Sequence, residues 1–105
     1  MITSGSGKYK VWLKEEKQGD DIVLFLGGGE VPHIGSVILS EPGKKTRVIT
    51  RNTHLDWMVG KPIAEKVCKK KKKPVLCVAG VHVNNASKEE IEILKENCRK
   101  LGKKL

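Results

Sequence analysis

The sequence predicts a small two-layer α/β domain of the α+β kind, one sheet with helices packed on it, and three observations carry that prediction. The first half is made of short alternating or continuous apolar runs. After about Asp56 the apolar residues take up a helical period. An almost purely apolar stretch, residues 74–81, then separates two helical segments. Strands followed by helix, strand and helix suit a single sheet, an N-terminal β-meander completed by one late strand. A chain of 105 residues holds one such core without staples. The expected organisation is a frayed tail over residues 1–7, which are small and polar, and a single domain over residues 8–105.

Each element has its own signal. In KYKVWLKEE, alternation places Tyr9, Val11 and Leu13 on one face of a half-buried strand, and GDD turns the chain. IVLFL, residues 22–26, is continuous and apolar, as in a central strand covered on both sides. SVILS and RVIT are two more strands, joined through EPGKK, where Pro42 and Gly43 supply a fixed and a permissive backbone position. Ile63, Val67 and Lys70, with Ala64 and Cys68 beside them, set a helix from about Asp56 to Lys71. Pro62 lacks an N–H, so that helix either begins near Gly60 or begins earlier and carries a proline inside. PVLCVAGV is the best candidate for the middle of the sheet. Ser87-Lys88-Glu89-Glu90 is a capping box, and Ile91, Leu94, Cys98 and Leu101 form the apolar stripe of the helix it opens.

The formal charge of +9, from 21 Lys and Arg against 12 Asp and Glu, favours an anionic partner. Five of the lysines form a run at 69–73, which suits the solvated C-terminal turn of a helix. Aromatic residues make up 4% of the chain, too few for a surface that stacks single-stranded bases, so nucleic acid is disfavoured. Cys68, Cys77 and Cys98 have unrelated spacings and read as small apolar residues of a reduced, cytoplasmic protein. No stretch approaches the roughly 18 apolar residues that a membrane span requires.

The residues that point to function sit at strand ends. His33 follows the glycine break after the second strand, His54 lies where the fourth strand gives way to the first helix, and His82 ends the central apolar strand. Such positions are where open α/β sheets present ligands. In FLGGGEVPHIG, Gly27, Gly28 and Gly29 allow a sharp turn or close approach to a ligand, and their amides could hold an anion. This is neither the dinucleotide glycine motif nor a Walker loop, because the chain runs on into Pro32 and another strand. Asn84 and Asn85 read either as turn residues or as hydrogen-bonding groups facing a ligand. No serine or cysteine is paired locally with a histidine as a nucleophile would be.

GGGEVPHIGSVIL, THLDWMVGKPIAEKV and VLCVAGVHVNNASKEEIEIL together resemble the LpdD-like prenylated-flavin chaperone domain, over about residues 21–101. That family includes the small D subunit associated with UbiD-like hydroxyarylic acid decarboxylases. The resemblance implies a non-catalytic accessory protein that binds prenylated FMN, or a related phosphorylated flavin, and assists its maturation or delivery to a UbiD-like decarboxylase. It points to Gly28, His33, Gly35, His54, Gly80, His82 and Asn85 as cofactor-binding residues, beside Gly27 and Gly29 of the same loop. Two positions depart from the family's pattern. Leu55 follows His54 where a lysine is common, and Asn84 stands where an aspartate is common.

The residues themselves suggest Arg47, Arg51 or Lys61 for the phosphate, and Trp57, Met58 and Trp12 as the apolar wall for an isoalloxazine. Two other functions compete. A metal-dependent enzyme would use His33, His54 and His82 as a three-nitrogen site. A basic RNA- or protein-binding module would use the lysine run. An exposed Trp12 or Trp57 would also favour a homo-oligomer.

Overall fold

The computed structural model describes residues 1–51 and 56–105. Six strands form one sheet: β1 (Ile2–Ser4), β2 (Val11–Gln18), β3 (Asp21–Gly29), β4 (Ser36–Ser40), β5 (Arg47–Thr50) and β6 (Val75–His82). Their order is β1-β2-β3-β6-β4-β5. Helix α1 (Trp57–Lys71) precedes β6 and α2 (Lys88–Lys103) follows it. The α+β class with helices on one sheet is therefore the observed one, and the apolar segment expected at the centre is there as β6.

Three expectations change. The four early strands do not stay neighbours, because β6 enters between β3 and β4, parallel to the first and antiparallel to the second. Strand β6 is apolar on both faces and gains two ladder partners there, which leaves the shorter, more polar β5 at one edge. The opening residues are not a frayed tail. Ile2, Thr3 and Ser4 pair with Leu13, Trp12 and Val11, and Ile2 packs against the core. A 3₁₀ turn, Gly7–Tyr9, joins β1 to β2, so Tyr9 lies outside the strand it was expected to begin.

Both helices lie on the same face of the sheet. Gly60 of α1 rests on Ile38, Ala79 and Cys77, where an added Cβ would stand 2.8 Å from the Ile38 side chain. Asn97 of α2 donates to the Tyr9 carbonyl at 2.8 Å, fastening that helix over β1 and the 3₁₀ turn. Between them lies the core: Val11, Leu24, Ile38, Val75, Cys77, Ala79, Ala64 and Leu101 are all 0% exposed. The other face receives no described helix, so among the described residues IVLFL is covered on one side only, where the sequence predicts cover on both.

The helix ends follow their chemistry. α1 begins before Pro62, which sits inside it. It ends on Lys72 in the left-handed region at φ 56°, whose amide bonds the Cys68 carbonyl at 2.8 Å. All five lysines at 69–73 are exposed, as a solvated helix end requires. The capping box is complete: the Glu90 amide donates to Ser87 Oγ and the Ser87 amide to Glu90 Oε1, each at 3.1 Å. No described helix is long and apolar enough to cross a membrane.

Candidate functional site

The parallel pairing of β3 with β6 brings two of the singled-out segments side by side. Gly27, Gly28 and Gly29 stand opposite Gly80, Val81 and His82. The chain leaves β3 through Gly29 at φ 73°, and the amides of Glu30 and Val31 both donate to the His82 carbonyl, at 2.7 and 3.1 Å. Residues 30–35 then cross the end of β6. The crossing is possible because Gly80 has no side chain: a Cβ there would stand 1.5 Å from the His33 carbonyl oxygen.

The glycine loop is thus packed by the chain itself. Trp12 lies over Gly27, where a Cβ would meet its ring at 2.3 Å, and the Val11 and Lys10 backbone closes over Gly28. The amides of Gly29 and Gly35 bond the carbonyls of Lys10 and Ala79, at 3.0 and 2.9 Å. With Glu30 and Val31 also committed, these four amides hold neighbouring strands together and do not form an open anion cradle. The glycines set the shape of the site by letting backbones approach.

That shape brings two histidines together. The His33 and His82 ring centroids are 5.9 Å apart, with the ring planes nearly perpendicular. His33 Nδ1 lies 3.0 Å from the Val31 carbonyl, placed to donate to it, and Nε2 lies 3.7 Å from Asp56 Oδ2, an ion pair when the ring is protonated. Asp56 precedes α1 without capping it. Its Oδ1 accepts from the Val81 amide at 2.9 Å, so one buried carboxylate ties the start of the helix to the end of the central strand. His54 lies outside the described residues. Among the described residues no cluster of His, Cys, Asp and Glu could hold a metal ion.

A cleft of about 450 Å³ opens beside this cluster, between the end of β6 and the two helices. His82, Asn85 and Asp56 line its polar side, while Val59, Val81 and Leu94 form part of its apolar wall. Asn85 takes the left-handed backbone at φ 53°. It is thus a turn residue, and its position also lines the cleft. The preceding amide, of Asn84, donates to Glu30 Oε1 at 3.0 Å, which locks this turn to the β3–β4 connection. A second cleft of about 360 Å³ continues between α1 and α2 and shares Val59, Lys95 and Cys98 with the first. Its margin carries Lys66, Arg99 and Lys103.

The expected cations and aromatic residues fall elsewhere. Arg47 pairs with Glu41 at 2.7 Å, and Arg51 donates to the Ile34 carbonyl at 2.8 Å. Neither they nor Lys61 line either cleft, and Trp12 belongs to the opposite face of the sheet. Of the expected wall only Met58 reaches the groove, at the second cleft. Sequence reasoning missed Asp56, Glu30 and Lys95. Asp56 had a signal, a carboxylate at a helix start, and Lys95 stood four residues after Ile91 beside the apolar stripe. Burial pushes the Cys77 and Cys98 thiols up to about 12, which keeps both neutral members of the core. The family model of the prenylated flavin chaperone LpdD-like domain matches residues 5–105. No curated protein matches the chain.

Proposed function

The chain belongs to the prenylated flavin chaperone LpdD-like family, and we propose on that premise that it carries prenylated FMN, or a related phosphorylated flavin, in the cleft beside His82 and hands it to a UbiD-like decarboxylase. The observation that supports this reading is the convergence of His82, Asn85 and Asp56 on a cleft whose volume lies within the roughly 300–1,000 Å³ of small-molecule sites. A flavin needs an apolar wall for its ring, a few hydrogen-bonding groups at the ring edge and a cation for its phosphate. Val59, Val81 and Leu94 meet the first need, His82 and Asn85 the second, and Lys95, where the two clefts join, the third. The residues present fit the group.

In this reading His33 acts on the ligand through its neighbours. It stands against the His82 ring and the Asp56 carboxylate and holds both in place. Gly28, Gly29, Gly35 and Gly80 let residues 30–35 cross close to β6, while Gly27 takes the Trp12 ring on the open face. The flavin supplies electrophilic ring chemistry to the decarboxylase, and this chain's contribution is to bind it and shield it from water in transit.

Fluorescence titration of FMN and prenylated FMN, with a short RNA as control, tests the reading. The parent binds flavin saturably, and His82→Ala and Lys95→Ala each weaken binding by about 1–3 kcal/mol, the usual cost of removing a partner from a polar or charged group. Absence of saturable binding by the parent, or unchanged affinity in both variants, removes the cleft as the flavin site.

A further inference from the structure

The face of the sheet opposite the helices carries a second apolar layer. Cross-strand register arranges it in rows. One row runs Lys14, Phe25, Val78, Val37, Ile49 across β2, β3, β6, β4 and β5, and the next runs Glu16, Val23, Leu76, Leu39, Arg47. A third begins Thr3, Trp12, Gly27, Gly80. Phe25, Val23, Val78, Leu76, Val37, Leu39 and Trp12 are half-buried by their neighbours within the sheet, and Ile49 is 73% exposed. None of them joins the core beneath the helices. At a strand spacing of about 4.8 Å and a same-face residue spacing of about 6.8 Å, the apolar side chains with Gly27 and Gly80 cover roughly 330 Å², the size of the largest patch on many monomers.

We infer that this face packs on the same face of a second copy of the chain, β6 over β6, about a two-fold axis running along that strand. One charge pair at the margin argues for this occupant. The two central rows carry their charged residues only at the outer strands, Lys14 and Glu16 on β2 and Arg47 on β5. A two-fold axis along β6 exchanges β3 with β4 and β2 with β5. Glu16, whose Oε1 lies 3.2 Å from Lys14 Nζ on its own strand, therefore faces Arg47 of the other copy with its second carboxylate oxygen, twice over, because the two residues end the same row. Lys14 lays its aliphatic stem on Ile49 of the other copy.

Arg47 uses one of its N–H groups on Glu41 and keeps others for a second carboxylate. Its length takes up the offset that an aligned packing angle of about 30° introduces at the sheet margin. The lysine run lies away from this surface, at the end of α1. Two such faces, charged margins included, bury roughly 900 Å², in the range of weak specific interfaces.

Sedimentation of the full chain over the micromolar range tests the inference, with circular dichroism confirming that each variant folds. The parent is expected to be a dimer, and Ile49→Arg, at a side chain the fold leaves exposed, to be a folded monomer. Glu16→Arg and Arg47→Glu are each expected to weaken association by about tenfold or more, and the double variant to recover it. A parent that stays monomeric overturns the inference. So does a dimer indifferent to Ile49→Arg, or a charge exchange that fails to recover association. A monomer that instead binds a decarboxylase through Ile49 assigns the face to that protein and overturns it equally.

Discussion

The two faces of the sheet are built from the same strands, with apolar residues at successive positions, yet they meet different surroundings. Leu24, Cys77 and Ile38 are fully buried beneath the helices. One position along each strand, Phe25, Val78 and Val37 point the other way, to a surface that no described helix covers. A sheet with one face in water usually alternates apolar with polar residues. β3, β4 and β6 do not alternate. The difference teaches that a continuous apolar strand does not by itself mean that its own chain covers both of its faces.

The largest expected effect separates the faces directly. Leu24→Ala opens a cavity in the core and is expected to cost about 2–5 kcal/mol. Phe25→Ala, a larger truncation one residue away, is expected to cost less than about 1.5 kcal/mol at concentrations where the chain is monomeric, because less packing is lost on a half-covered surface. Urea denaturation of both variants at low protein concentration measures the contrast. Equal losses would mean that the open face is packed within the monomer.

The next expected effect is at the strand end where the faces meet. In Gly80→Ala the new Cβ would stand 1.5 Å from the His33 carbonyl oxygen, so residues 30–35 must move off β6. A loss of about 1–3 kcal/mol is expected, as for other overpacked sites, together with a change in the imidazole NMR signals of His33 and His82. A variant of unchanged stability with both signals in place would break the account of why the chain crosses there.

Local chemistry was legible in the sequence, and long-range pairing was not. The capping box, the solvated lysine run and the central place of β6 follow from hydroxyl, charge and hydropathy patterns within a few residues of one another. The insertion of β6 between β3 and β4 depends on residues some fifty positions apart, which no short pattern encodes. The same holds for the site. The strand-end positions of His33 and His82 could be read from hydropathy, but their contact depends on Gly80 admitting the His33 backbone. Asp56 marked only the approximate start of a helix and in fact reaches Val81, and Trp12 looked like a ligand wall and instead covers Gly27. β1 was hidden because three polar-flanked residues carry too little pattern to distinguish a strand from a tail.

A smaller effect is expected on the covered face, at the start of α2. Ser87→Ala removes the hydroxyl that accepts the Glu90 amide and is expected to cost about 0.5–2 kcal/mol with flavin affinity unchanged. Glu90 itself is held down to about 2 by the Lys8 ammonium first, then by the Ser87 amide and the Tyr9 hydroxyl. A carboxyl with a depressed folded-state pKa adds stability above its unfolded value near 4.5, and that stability fades as pH falls from there towards 2. Glu90→Gln is expected to flatten this part of the stability profile in acid titration monitored by circular dichroism. An unchanged slope would show that the Lys8–Tyr9–Glu90 contacts form too weakly in solution to shift the carboxyl.

The smallest effect is expected where the charge is greatest. Replacing the five lysines at 69–73 with glutamine removes favourable interactions with the negative end of the α1 dipole, each worth about 0.3–1 kcal/mol at low salt. It also relieves repulsion among five neighbouring cations, so the two changes oppose each other. At physiological salt the net shift in stability is expected to stay within about 0.5 kcal/mol. Flavin affinity should hold for a separate reason. The run starts in the last turn of a helix whose first turn lies beside Asp56 and the cleft, and the 10 residues from Val59 to Lys69, at about 1.5 Å each, put roughly 15 Å between them. That is nearly twice the screening length of about 8 Å. Chemical denaturation and flavin titration of the five-fold variant check both statements together. If affinity falls severalfold while the fold persists, the phosphate is held at the lysine end of α1, and the cleft beside His82 and Lys95 is the wrong end of the molecule.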